Sequence, residues 1–385
     1  MRMAQVNSMA RILLCLAVFI SKGFSEENLS RLSSHSFGKL SDGREVSAFV
    51  LKNANGMSVQ ILDLGGVIAS IKVPDSSGNF ADVTTGFDYP QPYLDGAGYM
   101  GAIVGRYANR ISGGTFSIDG IDYSLAKNNG NNAIHGGLVG FDKKIWEVEY
   151  SVGLCDSKLK LSTFSPDGEE GYPGRVEVSV TYTLNDQNQL TIDYSATSDK
   201  ATIINLTNHA YFNLDGHQAG SILEHEVMLN ANHFTPIDES SIPTGVILDV
   251  AGTPLDFRQR KAIGLEIESE DQQMNFGSGY DHNFVINHLE PGSVSLAAEV
   301  YSPNSGRVMK VYTDQPGIQF YTGNFLNGKL VGKEGAVYGR RSAFCLETQH
   351  FPDSPNKPMF PSTILRPGDR FASRTIFEFL TDQML

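Results

Sequence analysis

One segment of the sequence, residues 205–214, places an imidazole within a row of hydrogen-bonding side chains. Its odd positions are polar or amphipathic and its even positions are mostly apolar, so a β-strand here would present the polar row to a cavity or to solvent. His209 and Tyr211 lie on that polar row. A lone histidine commonly has a structural role, but an imidazole can also transfer protons near neutral pH. The pattern therefore indicates either a structural histidine or a general acid or base.

A second segment, residues 342–350, carries a carboxylate on a short strand. Alternation puts Glu347 on the same face as Cys345 and Gln349, opposite an apolar face. Carboxylates are seldom found on buried strands unless they are paired. Glu347 is thus either a surface or ion-paired residue, or the proton acceptor that would complement His209.

Four further segments, residues 105–111, 132–137, 279–284 and 315–324, combine planar polar side chains with glycine and an aromatic residue. Sugar sites use this mixture, because planar polar groups bind hydroxyls and aromatic faces cover the C–H surface of the ring. Taken singly, asparagine and glycine in loops are more often turn residues. The sequence contains no Walker-type loop, no strand–GxGxxG–helix unit, no G-x-S-x-G and no HExxH. Proton transfer by histidine and carboxylate is therefore the leading class of chemistry.

The elements that must position these residues are predominantly strands. Short period-two runs such as residues 176–184 are separated by turns, and the 385 residues include 39 glycines and 16 prolines. Without an internal repeat or linker, the chain is expected to form a single large all-β domain, closed as a sandwich or barrel. One short helix is expected within residues 261–271. The 43 acidic and 30 basic residues give a net charge of −13, which argues against a nucleic-acid partner.

The N-terminus has the pattern of a secretory signal. A basic start precedes the apolar run of residues 12–20, and small and polar residues follow. That run is too short to cross a bilayer, which takes roughly 20 residues as a helix. We expect residues 1–23 to be a cleaved signal peptide, 24–36 an N-terminal extension and 37–385 the folded domain. The mature protein would then be secreted without a membrane span; a cytoplasmic protein is the alternative.

Two further expectations depend on the compartment. Acceptor sequons begin at Asn28 and Asn205. We predict a glycan on Asn28, in a polar terminal segment, and none on Asn205, which lies on the same strand as His209. Cys155 and Cys345 are either paired, as an oxidising compartment would allow, or two unpaired buried thiols.

Seven ordered motifs between about residues 37 and 379 resemble the aldose 1-epimerase (galactose mutarotase) family. They are GRYANRI at 105–111, IHGG at 134–137, DGEEGYPG at 167–174, NLTNHAYFNL at 205–214, YDHNF at 280–284, QPGIQFYTGN at 315–324 and FCLETQ at 344–349. The resemblance implies a galactose-mutarotase-like fold, a large antiparallel β-supersandwich. It also implies an enzyme that acts on a small aldohexose, galactose or glucose, and needs neither a metal nor an organic cofactor. We expect a monomer.

The resemblance also implies individual roles. Glu347 is similar to the general base of the family, the proton acceptor, and His209 to its general acid, the proton donor. Residues similar to those that hold the sugar hydroxyls are Asn109, Arg110, His135, Asp281 and Gln319. We add Tyr211 as a sugar contact because it shares a strand face with His209.

The implied reaction interconverts α and β anomers by opening and reclosing the pyranose ring at the C1–O5 bond. Glu347, as carboxylate, would take the C1-hydroxyl proton while His209, as imidazolium, protonates O5. We expect Asp281 or burial to raise the pKa of His209 enough to keep it charged.

Three other functions remain open at this stage. A lectin-like module would bind sugar without needing His209 or Glu347. A glycosidase would use two carboxylates, formally Asp281 and Glu347, and would release reducing sugar from a galactoside. A phosphosugar epimerase would need cationic side chains for the phosphate beyond the two that the motifs supply, Arg106 and Arg110.

Overall fold

The computed structural model describes residues 31–329 and 331–384. The expected signal peptide (1–23), the expected glycan on Asn28 and most of the expected extension lie outside the described residues. Strand pairings within the described ranges are antiparallel, which confirms the expected all-β class. No helix in this part of the chain has the length and apolar character needed to cross a membrane.

The first sheet is formed by the N-terminal strands in sequential order. Its first strand begins at Leu32, and Leu32 and Ser36 pair with Leu51 and Ser47, so the last residues of the expected extension (24–36) belong to this sheet. The five strands are β1 (Leu32–Lys39), β2 (Glu45–Lys52), β3 (Ser58–Leu62), β4 (Ile68–Pro74) and β5 (Phe80–Asp82).

The largest sheet has nine strands and shows the predicted alternation. Val176, Val178 and Val180 are buried while Glu177 is exposed, because one face of this sheet packs on the core and the other faces solvent. In spatial order the strands are β11 (Glu147–Val152), β12 (Asp156–Ser165), β13 (Val176–Asn185), β14 (Gln189–Ser198), β27 (Phe371–Thr381), β23 (Arg307–Thr313), β22 (Ser295–Tyr301), β17 (Glu226–Leu229) and β20 (Lys261–Ala262).

A third sheet and four short ribbons complete the strands. The third sheet runs in the order β19 (Leu248–Asp249), β18 (Ala231–Thr235), β21 (Asp281–Ile286), β24 (Gly317–Tyr321) and β25 (Cys345–Gln349). The ribbons pair β6 (Ile103–Val104) with β16 (Thr207–Asn208), β7 (Arg110–Ile111) with β10 (Ala133–Ile134), β8 (Thr115–Ile118) with β9 (Ile121–Ser124), and β15 (Thr202–Ile203) with β26 (Ile364–Leu365).

One apolar core joins the three sheets into a sandwich. It includes Ile61 of the first sheet, Val180 of the largest sheet and Phe320 of the third, all fully buried. Burial of such side chains against one another is the main force that holds sheets face to face. Both cysteines beyond the N-terminal segment are free thiols, so the unpaired alternative is observed. Cys345 is buried as expected, whereas the expected burial is wrong for Cys155, which is exposed.

The predicted position of the short helix, within residues 261–271, is wrong. Lys261 and Ala262 instead pair with β17 as strand β20, and a 3-10 turn follows at Ile263–Leu265. The helix begins one residue later than the expected range, at Gln272–Gly277, because the Asp271 carboxylate accepts the backbone N–H of Gln273 as its N-cap. Gln91–Leu94 is a second α-helix among the residues that the structure describes.

Candidate active site

A cavity of about 450 Å³ lies where the third sheet meets loops from the first half of the chain. Seven of the residues predicted from the sequence line it: Asn109, Arg110, His135, His209, Tyr211, Asp281 and Glu347. Residues that are far apart in sequence thus converge on one polar concavity, which is the usual form of a small-molecule site.

Strand register positions the carboxylate. β24 and β25 pair Tyr321 with Cys345 and Gln319 with Glu347, and the predicted alternation of β25 puts Cys345 and Glu347 on one face. Glu347 is only 2% exposed, so the alternative of a surface glutamate does not hold. Within the described residues its Oε2 atom is buried without a hydrogen-bond partner. A buried acceptor without a partner is costly, and a ligand hydroxyl would satisfy it.

His209 faces Glu347 across the cavity. Its Nε2 atom lies 3.6 Å from Oε1 of Glu347, and its Nδ1 atom lies 3.4 Å from Sγ of Cys345. The imidazole stacks on Tyr211 with ring centroids 4.9 Å apart and an interplanar angle of 16°. The ring is therefore held by contacts on its face and on one edge, and Nε2 is turned to the carboxylate.

The segment that carries His209 is not the continuous strand that was expected over residues 205–214. Only Thr207–Asn208 forms a strand, paired with β6, and Phe212 makes an isolated bridge to Phe344. Both rows of the segment are buried, because different neighbours cover each part of it. Of the polar row, His209 and Tyr211 line the cavity, whereas Asn205 is fully buried and donates to the carbonyl oxygens of Ala108 and His350.

Two backbone turns present the residues opposite Glu347. β7 and β10 pair just beyond Asn109 and before His135, and both of these residues have positive φ, +62° and +52°. The backbone N–H of Asn109 donates to Nδ1 of His135 at 3.2 Å, which ties the two turns together. Left-handed conformations in non-glycine residues are strained and persist where the surroundings enforce them, often at functional sites.

Arg110, Asp281 and Gln319 form a connected polar group. Nε2 of Gln319 donates to Oδ1 of Asp281 at 2.7 Å, and the Arg110 guanidinium approaches Oδ2 of Asp281 at 3.7 Å. Gln319 is buried behind Asp281 and does not line the cavity. It therefore acts through Asp281 in this structure, whereas Arg110 and Asp281 reach the cavity directly.

Burial dominates the electrostatics of the site. It lowers the pKa of His209 to about 4, so the expectation that burial or Asp281 raises this pKa is wrong: a desolvated imidazole resists the charged form. Burial, and next the neighbouring Asp281, raise the pKa of Glu347 well above its usual value. Burial, followed by His209 and Arg110, lowers the pKa of His135 and keeps its ring neutral.

The cluster of His135, His209 and Glu347 also has to be tested as a metal site, since its ligand atoms lie within 4.8 Å of one another. Because Nδ1 of His135 accepts a backbone N–H, its lone pair is engaged and the hydrogen of the neutral ring sits on Nε2. A protonated nitrogen has no lone pair for a metal ion. This histidine is arranged to donate to a ligand oxygen, and the donor set does not fit a metal.

Known proteins resemble this chain over most of its length. The family model described as aldose 1-epimerase matches residues 47–378. Galactose mutarotase from Homo sapiens is 45% identical over 344 residues, covering 89% of this chain and 97% of that protein. The chain belongs to the aldose 1-epimerase family.

Solved structures of family members superpose over most of the chain. An aldose epimerase homologue from C. elegans does so with a TM-score of 0.79 and 32% sequence identity, covering 86% of this chain and 98% of that one. Galactose 1-epimerase from Lactobacillus acidophilus does so with a TM-score of 0.80 and 28% identity, covering 91% of this chain and 98% of its own. The galactose-mutarotase-like fold implied by the sequence motifs is thereby confirmed.

The cavity of this family member also contains residues that were not predicted as site residues. Tyr99 is one of them: its ring centroid lies 4.6 Å from that of His135, but it sits in an irregular loop where alternation gives no signal. The others are Gly98, Asn129, Ile134, Glu239, Ser240, Ser241, Tyr321 and Phe325. Tyr321 follows from strand register, since it pairs with Cys345, whereas the turn at Glu239–Ser241 has no pattern that points to a ligand.

Proposed function

We infer that this chain is an aldose 1-epimerase that interconverts the α and β anomers of D-galactose and D-glucose. The observation that carries the inference is the imidazole–carboxylate pair in one buried cavity, with Nε2 of His209 3.6 Å from Oε1 of Glu347. Ring opening at the C1–O5 bond needs one group to take a proton from the C1 hydroxyl and another to give one to O5. A pair of this kind supplies both.

The proton count is the same before and after ring opening. With a cyclic sugar bound, the pair is Glu347 carboxylate and His209 imidazolium. The carboxylate takes the C1-hydroxyl proton as the C1–O5 bond breaks, and Nε2 of His209 delivers its proton to O5. Rotation about C1–C2 turns the other aldehyde face to O5, and reclosure returns both protons. The open-chain state therefore holds protonated Glu347 and neutral His209, and burial favours this charge-free state.

In the free enzyme, burial likewise favours the neutral form of the pair, with Glu347 protonated and His209 neutral. Glu347 and His209 share one proton. The proton is on His209 in the charged form of the pair and on Glu347 in the neutral form. A bound cyclic sugar has to shift the pair toward the charged form. Hydrogen bonds from sugar hydroxyls to the buried Oε2 of Glu347 would favour the carboxylate in this way.

The remaining cavity residues suit the task of holding a pyranose. Arg110 and Asp281 offer donors and acceptors for hydroxyls, and His135 presents an N–H at Nε2. Tyr211 and Tyr99 supply aromatic faces near the two histidines. We propose Asn109, Arg110, His135, Tyr211 and Asp281 as direct sugar contacts and Gln319 as the support of Asp281.

The rival functions fit the geometry less well. A glycosidase would place a second carboxylate opposite Glu347, but the group that faces Glu347 is His209, and Asp281 is engaged by Gln319 and Arg110. A phosphosugar epimerase would need a cluster of cations, yet the guanidinium of Arg106 donates to Ser165 and to backbone oxygens away from the cavity. Among the matched motifs only Arg110 remains for a phosphate.

Polarimetry tests the inference directly. Purified protein added to freshly dissolved α-D-galactose or α-D-glucose should accelerate the change in optical rotation above the spontaneous rate. Galactose 6-phosphate as substrate and a galactoside assayed for reducing sugar are the controls for the two rivals. Acceleration with the phosphosugar alone, or release of sugar from the galactoside, would contradict the proposed function.

We propose, further, that the protein is secreted and that Asn28 carries a glycan. The support is the basic and apolar pattern of residues 1–23 and the sequon that follows it. Asn205 should remain bare because its side chain is fully buried and hydrogen bonded. Peptide mass mapping of protein from a eukaryotic secretory host, before and after glycan removal, tests both points. An intact Met1 with no glycan would refute the secretion proposal.

The cavity is formed within one chain, which supports our proposal of a monomer. Light scattering coupled to size-exclusion chromatography would measure the mass. A stable dimer would refute the proposal.

A further inference from the structure

Cys345 is the residue of strand β25 that touches the proton-transfer pair without belonging to it. Its side chain is fully buried, and its Sγ atom lies 3.4 Å from Nδ1 of His209. Two residues along the same strand face, Glu347 approaches the other nitrogen of the same imidazole. The strand thus contacts both edges of His209, with a sulfur at Nδ1 and a carboxylate at Nε2.

We propose that Cys345 is a positioning residue whose sulfur accepts the Nδ1–H of His209 and thereby fixes the tautomer that leaves Nε2 to exchange the proton with the sugar. The proposal rests on the proposed function, since it concerns the nitrogen that takes part in that reaction. It assigns to Cys345 no contact with the sugar and no covalent step.

The proton count at the two nitrogens of His209 determines what kind of partner Nδ1 needs. When the sugar ring is closed, His209 is an imidazolium and both nitrogens carry a hydrogen. When the ring is open, Nε2 has given its proton to O5 and must keep a free lone pair to take it back, so the remaining hydrogen has to be on Nδ1. Nδ1 carries a hydrogen in both states, and its partner must therefore be an acceptor.

A neutral sulfur suits that position better than a stronger acceptor would. Burial, and next the charges of Glu347 and Asp281, raise the pKa of the Cys345 thiol well above its usual value, so the sulfur stays uncharged. A neutral thiol is both a weak donor and a weak acceptor, and because Nδ1 carries a hydrogen in both states the sulfur takes the acceptor role. In that role it can bias the tautomer without strongly stabilising the imidazolium. A carboxylate in its place would hold His209 in the charged form and make proton transfer to O5 harder.

The alternative tautomer would interrupt the cycle. If the hydrogen of neutral His209 moved to Nε2, that nitrogen could not accept the O5 proton on reclosure. Stacking on Tyr211 holds the plane of the imidazole but does not distinguish its two nitrogens. The choice between them falls to the edge contacts, and at Nδ1 the contact is Sγ of Cys345.

Substitutions at Cys345 separate positioning from packing. Cys345→Val keeps an apolar group of similar size but removes the acceptor, and Cys345→Ala removes both, whereas Cys345→Ser restores an oxygen that can accept Nδ1–H. We expect kcat to fall about tenfold or more in the valine and alanine variants, with KM within about twofold, and to recover largely in the serine variant. Cys155→Ala, at the exposed free thiol, is the matched control and should behave as the unmodified protein.

A second readout does not depend on turnover. Nitrogen-15 NMR of labelled protein at neutral pH should show His209 as the Nδ1–H tautomer in the unmodified protein and in Cys345→Ser. Cys345→Val should shift the population toward Nε2–H. Full kcat in Cys345→Val, equal losses in the serine and valine variants, or a tautomer unchanged by the valine would each overturn the proposal.

The two readouts also separate this proposal from the proposed function. An unmodified protein without mutarotase activity would refute the function. The tautomer shift would still show that Cys345 selects the protonated nitrogen, and its absence would overturn the positioning role even in an active enzyme.

Discussion

Glu347 and His209 illustrate how burial determines what individual residues can do. Desolvation moves their two pKa values toward each other's usual range, since it raises that of the carboxyl and lowers that of the imidazole to about 4. In the free pair the shared proton therefore rests on Glu347, and bound sugar has to favour its transfer to His209 before the ring opens. A pair that shares one proton, rather than a permanently charged histidine, is what the geometry offers for catalysis.

The pH dependence of the rate should reflect that single shared proton. On acidification, the pair takes up a second proton only near pH 4, the pKa of His209. Both Glu347 and His209 are then protonated, and no base remains. On the alkaline side the shared proton is lost only above the ordinary range of a carboxyl group, because the pKa of Glu347 is raised. Initial rates corrected for spontaneous mutarotation should thus not fall as the pH is lowered from 7 to about 5. An acid limb centred near 6.5 would contradict this assignment.

Alanine substitutions at Gln319 and at Asp281 should raise the KM for galactose by different amounts. Asp281→Ala removes a direct sugar contact and should raise KM about tenfold or more. Gln319→Ala removes the hydrogen bond that holds Asp281 and the one that Gln319 accepts from Gln349, but no contact with the cavity, and should raise KM less. Steady-state KM for galactose in the two variants and in the double variant measures the difference. A larger effect of Gln319→Ala, or additive effects in the double variant, would mean that Gln319 contacts the sugar itself.

Among the elements, the turn after β10 that presents His135 depends on close backbone packing. At Gly136, with φ of +91°, a Cβ would lie 1.9 Å from the carbonyl oxygen of Gly105. Gly136→Ala should therefore displace His135 and lower kcat/KM more than about tenfold, together with a lower Tm. Gly130→Ala is the matched control, since that position also has positive φ but has no atom within 4 Å of the added Cβ. Equal behaviour of the two variants would show that the contact at Gly136 is not needed.

Strand alternation predicted one half of the site and failed for the other. β25 is a regular strand, so the shared face of Cys345, Glu347 and Gln349 followed from spacing alone. The segment around His209 is covered by partners as remote as Val104 and Phe344, and no local pattern encodes those pairings. The roles of both residues came from motif resemblance, while the pKa of His209 depends on burial that only the folded chain defines.

At the scale of the whole molecule, several histidines are built into the fold as neutral groups. Nε2 of His225 accepts the backbone N–H of Leu214, and Nδ1 of His282 accepts that of Asp281. Burial lowers the pKa of His225 to about 4 and that of His282 to about 3. A protonated ring could not accept these hydrogen bonds, so the folded state resists protonation at both positions.

This makes the fold sensitive to mild acid. Between pH 6.5 and about 4 the unfolded chain binds protons at these histidines that the folded chain does not, so the free energy of unfolding falls as the pH falls. Each fully buried histidine contributes on the order of 1 kcal/mol by pH 5.5. The raised pKa values of Glu347 and of Asp142, the latter raised by burial to about 7, oppose the trend, but the buried histidines with lowered pKa values outnumber these two carboxyl groups. We expect Tm to drop by several degrees between pH 7.5 and 5.5.

Two variants test whether buried histidines cause the drop in Tm at lower pH. His225→Gln keeps an acceptor for Leu214 but cannot be protonated, so it should show a smaller drop in Tm with pH. His233→Gln, at an exposed histidine, should keep the full drop. A pH dependence that is the same in both variants would place the acid sensitivity elsewhere.

The central claim is that Glu347 and His209 together carry the proton transfers of aldose epimerisation, and polarimetry of fresh α-D-galactose with two near-isosteric variants tests it most directly. Glu347→Gln removes the proton acceptor and His209→Asn removes the donor, while both keep a polar side chain in the cavity. We predict that each lowers kcat by at least about 10²-fold with a Tm close to that of the unmodified protein. Near-normal mutarotation by either folded variant would contradict the account.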